Sequence, residues 1–159
     1  MSIPARPDGD RAHPLAAAAA LFRQLHDDIR DAIDGLTDAQ LTFVPAPDSN
    51  SIAVLVVHLL GSEDEALSTI AGLDVARDRD AEFVAGAVDL LAMLDEADAL
   101  LKQVTSRAPD LGRVVALPTL PADETRPAMT WLISNYGHAR EHYGQLLLTK
   151  QLALESAAD

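Results

Sequence analysis

Five histidines and no cysteine leave imidazole as the nitrogen donor for a metal in this 159-residue chain and exclude disulfides, cysteine-ligated metals and a cysteine nucleophile. The spacing of three histidines carries information. His138 and His142 stand four residues apart in a segment of helical periodicity, so their side chains project from one face, one turn apart. They lie beside a seam of Leu132, Tyr136, Ala139 and Tyr143, on the flank that also carries Trp131 and Asn135. His58 occupies the matching flank of an earlier helical segment, next to Leu55 and Leu59 and near Ser62. Imidazole is the usual nitrogen donor to zinc, nickel, iron or copper. Two imidazoles from one helix and a third from a facing helix make a cap with coordination positions left open, as in catalytic sites. The plainer reading is three histidines hydrogen-bonded at the edge of a core. His26, beside Asp27 and Asp28, reads as a surface residue and His13 as part of a polar tail, so neither is a candidate ligand.

Two carboxylates are candidates for acid–base work. Glu141 precedes His142, and the segment His138–His142 matches the H-x-x-E-H pattern of inverted zinc proteases, in which the glutamate is the general base. Such proteases need a further acidic ligand well downstream and a larger chain around the substrate. Between His142 and Asp159 the sole carboxylate is Glu155, so the protease reading fails. Helical periodicity turns Glu141 away from the seam, toward solvent. Glu63 falls on the seam side of its helix, where a buried carboxylate needs a partner. It could orient a histidine, or close a salt bridge at the rim. Asn135 could orient a ligand or substrate, whereas Trp131 reads more simply as core.

Helices must position these groups. The first has its seam at Leu15, Ala18, Phe22, Leu25, Ile29, Ile33 and Leu36, with Gly35 as its stop. Thr37 and Gln40 form a capping-box pattern before a proline loop at 45–48. A second helix is expected from Ser51 to Ile70, capped by Ser49 or Asn50. A third has its seam at Phe83, Ala87, Leu90, Leu94, Ala97, Leu101 and Val104 and ends before Pro109. Residues 108–124 read as a loop with one short strand at Val114–Leu117. The fourth helix is expected to open at an Asp123 or Thr125 cap, with Pro127 in its first turn, and to reach Leu152. The domain reading is a tail over 1–13, a four-helix bundle over 14–152 and a second tail over 153–159. In the second helix Val54, Val57 and Leu60 lie off the Ile52/Leu55/Leu59 seam, which implies burial on more than one side by a homodimer contact or by a covering loop.

Charge and composition narrow the partners. With 25 acidic and 12 basic residues the net charge is −13, and the basic residues do not cluster, so nucleic acid is disfavoured. No apolar run approaches the roughly 18 residues of a membrane span. The stretch Leu15–Phe22 runs without a cleavage pattern into a charged amphipathic segment, so the cytoplasm is the expected location.

The segment Ser51–Leu59 resembles the second-helix signature of the DinB-like (YfiT-like) family, and Gly137–Gln145 resembles its fourth-helix signature, a His-x-x-x-His followed by Gly-Gln. With the Leu36-Thr37 turn, the resemblance covers residues 15–150. It implies an up-down-down-up four-helix bundle and one divalent ion, zinc or nickel, held by His58, His138 and His142. It also implies a frequent homodimer. Characterised members include thiol transferases and an isomerase that use a low-molecular-weight thiol such as bacillithiol or mycothiol. The expected function is a metal-dependent, thiol-dependent transferase acting on a small electrophile. The alternatives are a metal-dependent hydrolase of small esters or amides, and a non-catalytic, stress-associated metal-binding protein.

Overall fold

The computed structural model describes residues 14–86 and 88–157; the expected N-terminal tail, with His13, lies outside them. Four long helices form the bundle: α1 (Pro14–Ile33), α3 (Ile52–Ala71), α5 (Leu90–Arg107) and α6 (Ala128–Ser156). Two single-turn helices, α2 (Asp38–Leu41) and α4 (Arg79–Glu82), lie in the connections. Strands β1 (Val114–Ala116) and β2 (Thr125–Pro127) pair antiparallel, with Val115 opposite Arg126.

Two apolar clusters define the path. At one end Ile29 and Ile33 of α1 meet Ile52, Leu55 and Leu59 of α3, Leu90 and Leu94 of α5, and Leu146 of α6. At the other end Leu15 and Phe22 meet Leu67 and Ile70, Leu101 and Val104, and Ala128 and Leu132. The start of α1 therefore shares an end with the finish of α3 and α5 and the start of α6. This is an up-down-down-up bundle. Helix α3 packs against both α5 and α6, and α1 closes the other side between the same two helices.

Local chemistry explains most boundaries. Ser51 caps α3, its Oγ accepting from Val54 N at 3.2 Å, in place of the expected Ser49 or Asn50. Gly72, at φ 68°, ends it in the left-handed turn that returns Leu73 N to Ser68 O at 2.8 Å. The capping box on α2 forms as expected, with Gln40 N on Thr37 Oγ1 and Thr37 N on Gln40 Oε1.

Three expectations are corrected. The third helix does not begin at Phe83. Asp89 caps α5 by accepting from Ala92 N at 2.9 Å, and the residues before it form α4 and a connection that follows another course. The fourth helix begins at Ala128, not at an Asp123 or Thr125 cap. Thr125 and Pro127 are in β2, and the carbonyls of Arg113 and Leu111 accept from Ala128 N and Met129 N at 2.8 and 2.9 Å. At its far end α6 runs past Leu152 to Ser156, since no glycine or proline follows Gly144 within it and Ala153 is buried. Helix α3 is buried on nearly all sides within the single chain, Val54 and Leu60 included.

His26 is likewise corrected, since it has no exposed surface. Its Nε2 lies 2.9 Å from Glu63 Oε2 on α3, and its Nδ1 lies 2.7 Å from Asp98 Oδ1 on α5. Arg30 donates to Asp98 Oδ2 at 2.7 Å and to Asp95 at 2.9 Å, tying α1 to α5 once more. Burial alone would lower the His26 pKa, but the hydrogen bonds and charges of Glu63 and Asp98 outweigh it and raise the pKa above its usual 6.5. Burial also pushes the Glu63 carboxyl upward, against the pull of His26.

The folded chain thus holds a proton on this pair more tightly than the unfolded chain does. That contribution to stability is present in full below the unfolded histidine pKa and is lost as pH rises through the folded value. The thermal unfolding midpoint is expected to fall as pH rises past the ordinary histidine pKa, with a shallower fall in His26→Gln. In urea unfolding, His26→Ala is expected to cost about 3–5 kcal/mol, because it strands a buried carboxylate. A midpoint that instead rises with pH in the unaltered chain would show that His26 is held neutral, and a level one that its pKa is unshifted.

Candidate metal centre

His58 projects from the first half of α3, and His138 and His142 project from the middle of α6, which runs antiparallel to it. The antiparallel packing sets the three rings side by side. Ring centroids are 5.3 Å apart for His58 and His138, 5.0 Å for His58 and His142, and 4.3 Å for His138 and His142. One nitrogen from each lies within 4.8 Å of the others, and among the described residues this is the group suited to a metal ion. Three imidazole nitrogens this close would hold a divalent ion such as zinc.

Hydrogen bonds select the donor atom on two of the rings. His58 Nδ1 lies 2.8 Å from Glu82 Oε2, and His142 Nδ1 lies 2.9 Å from Gln145 Oε1. A carboxylate oxygen can only accept, so His58 carries its proton on Nδ1 and keeps the Nε2 lone pair for a ligand. Burial lowers the His58 pKa more than Glu82 raises it. Burial, then the neighbouring His142 and His58, lowers His138 to about 4. Neutral imidazoles with an available nitrogen are what a divalent ion requires.

The residues that hold His58 come from the α3–α5 connection. Arg77 donates from Nε to Glu82 Oε1 at 2.7 Å, from Nη2 to Glu82 Oε2 at 2.9 Å, and from Nη1 to Glu65 Oε2 at 2.8 Å. Glu65 also accepts from Thr119 N at 2.7 Å and from Thr119 Oγ1 at 2.8 Å. Arg77, Glu65 and Glu82 are almost fully buried, which is tolerable only because each charge is paired. Phe83 packs its ring 5.0 Å from that of His58. Gly61 makes room for the arrangement: a Cβ there would collide with Glu82 Oε1.

The two carboxylates singled out by sequence are placed elsewhere. Glu63 is buried against His26, not against the three clustered rings. Glu141 is exposed on the outer side of α6. Glu82, Glu65 and Arg77 escaped the sequence reading because they sit in or across from an irregular connection with no periodicity. Gly61, unusual inside an apolar helix, was the one local signal that something approaches closely there.

A cleft of about 270 Å³ opens beside His58 and His138. Leu117, Leu120 and Trp131 form its apolar wall, and Ser62, Asn135 and Arg79 contribute polar groups. Trp131 is both core and cleft wall, with its Nε1 donating to Val115 O at 2.9 Å. Asn135 donates from Nδ2 to Ser62 O and Oγ, both at 2.9 Å, and its buried Oδ1 has no partner.

Comparison with known proteins agrees with this architecture. A solved structure described as the conserved protein of a locus from Enterococcus faecalis superposes with a TM-score of 0.74 at 18% identity, covering 91% of this chain and 99% of that one. At that identity the likeness speaks for the fold alone. No curated protein matches the chain. The family model described as the DinB superfamily matches residues 21–146, the stretch that holds all three clustered histidines, and the chain belongs to that superfamily.

Proposed function

We propose that this chain is a divalent-metal-dependent enzyme that transfers a low-molecular-weight thiol to a small electrophile, with zinc or nickel held by His58, His138 and His142. The observation that carries the reading is the set of three close imidazoles, two of them with Nδ1 engaged by an oxygen, at the edge of a cleft. A bound divalent ion would supply positive charge that keeps a small thiol in its nucleophilic thiolate form near neutral pH.

The chain's own residues supply orientation and exclusion of water. Glu82 and Phe83 fix the plane of His58, Gln145 fixes His142, and Leu117, Leu120 and Trp131 give an electrophile an apolar surface to lie on. The chain has no cysteine, so the sulfur comes from a second substrate. Transfer is favoured over hydrolysis of esters or amides by the state of the carboxylates. Glu63 is engaged by His26, Glu65 and Glu82 are engaged by Arg77, and Glu141 faces outward, so none of the four stands free in the cleft as a base for water. A thiolate needs no such base. Among the described residues no helix is long and apolar enough to cross a membrane.

Elemental analysis of untagged protein is expected to give about one zinc or nickel ion per chain, and none in a His58→Ala, His138→Ala double variant. An absence of metal in the unaltered protein, even after reconstitution, would overturn the reading. Glu82→Gln is expected to weaken metal affinity by about 10–100-fold in a chelator competition, with helical circular dichroism retained. Gly61→Ala, which displaces the same carboxylate, should move affinity in the same direction. Unchanged affinity in both would reduce the Glu82–His58 bond to a packing contact.

A further inference from the structure

Helix α4 delivers three groups to one place. Glu82 binds His58, Phe83 at its end packs on the same ring, and Arg79 at its start lines the cleft. The first two act on the histidine. Arg79 does not: its guanidinium lies 6.0 Å over the Phe83 ring and has no carboxylate partner among the described residues. Arg30, Arg77, Arg126 and Arg140 pair with carboxylates, and Arg113 donates to the carbonyls of Thr69 and Ile70. Arg23, Lys102, Arg107 and Lys150 share the lack of a carboxylate partner, but none of them lines the cleft.

The other charges of the cleft are already satisfied. Arg77 is divided between Glu65 and Glu82, and Thr119 and His58 take up further acceptor positions on those carboxylates. Arg79 is therefore the one cleft cation with its donors free, and its planar fork matches a carboxylate in two parallel hydrogen bonds. The same cleft carries an apolar surface of Leu117, Leu120 and Trp131. A lone arginine beside an apolar wall suits a monocarboxylate with a hydrocarbon body, whereas a phosphate calls for several cations.

We propose that the cleft takes a small organic acid, its carboxylate held by Arg79 and its apolar body against Leu117, Leu120 and Trp131. This names the class of electrophile for the proposed transferase and in that sense rests on that reading, but recognition by Arg79 needs no metal.

Trp131 is the single tryptophan of the chain and lines the cleft, so its emission reports occupancy directly. The test titrates hexanoate and hexanamide, which differ in charge and little in shape, into the full chain as purified and again after chelator treatment. Hexanoate is expected to bind about tenfold more tightly than hexanamide in both preparations. In Arg79→Gln, an exposed substitution, the two should bind within about twofold of each other, while Arg107→Gln, remote from the cleft, should keep the preference. Equal binding of acid and amide, or no change in emission with either, would overturn the proposal. A preference that survives Arg79→Gln and vanishes with chelator would also overturn it, assigning the anion to the metal and leaving the metalloenzyme reading intact. Loss of metal binding with the Arg79-dependent preference retained would separate the two readings the other way.

Discussion

Three imidazole rings within about 5 Å of one another repel strongly if protonated, and a helix–helix interface offers little water to screen them. The bundle brings His58, His138 and His142 together with His58 and His138 drawn toward the neutral form and with the rings held in defined orientations. Burial and mutual repulsion account for the first, most plainly at His138, whose pKa falls to about 4. Glu82, Gln145 and Phe83 contribute to the second. The Arg77 bridge, the glycine at 61 and the course of the α3–α5 connection all follow from the need to hold one carboxylate against His58.

The molecule contains two buried histidine–carboxylate systems with opposite character. His26 lies between Glu63 and Asp98 and is drawn toward its charged form, which joins α1, α3 and α5. His58 has one carboxylate, too little to offset its burial, and His142 and Arg77 push the same way as burial, so its pKa is lowered. The same two residue types thus tie helices together in one place and leave a lone pair available in the other. The number and pairing of the surrounding charges account for the difference.

Placing a short helix over the histidines has a further consequence. Arg79 of α4 lines the cleft, while Glu82 and Phe83 at its other end lie against His58. The bundle helices supply the donor set, and the connection supplies orientation and a free cation. Variation in this connection would alter what the cleft accepts without disturbing the core clusters of Leu25, Ile29, Leu55 and Leu59 at one end and Phe22, Leu67 and Leu101 at the other.

The sequence by itself determined the four long helices, the seams that bury them and the flank on which each of the three histidines lies. These depend on local periodicity, and residues three and four apart meet whatever the rest of the chain does. The family pattern over 21–146 reflects the same regularity. Burial of His26 was decided only by tertiary structure, because its partners are 37 and 72 residues away and Asp98 reads in isolation as a solvent-facing acid. The break before α5 and the late start of α6 were decided in the same way. Asp89 captured a helix start inside an apolar seam, and β2 claimed Thr125–Pro127 by pairing with a strand. The roles of Glu82, Arg77 and Arg79 belong to this second group. An aperiodic connection has no repeat from which a direction can be read, and its side chains acquire chemical meaning only when the fold lays them against His58.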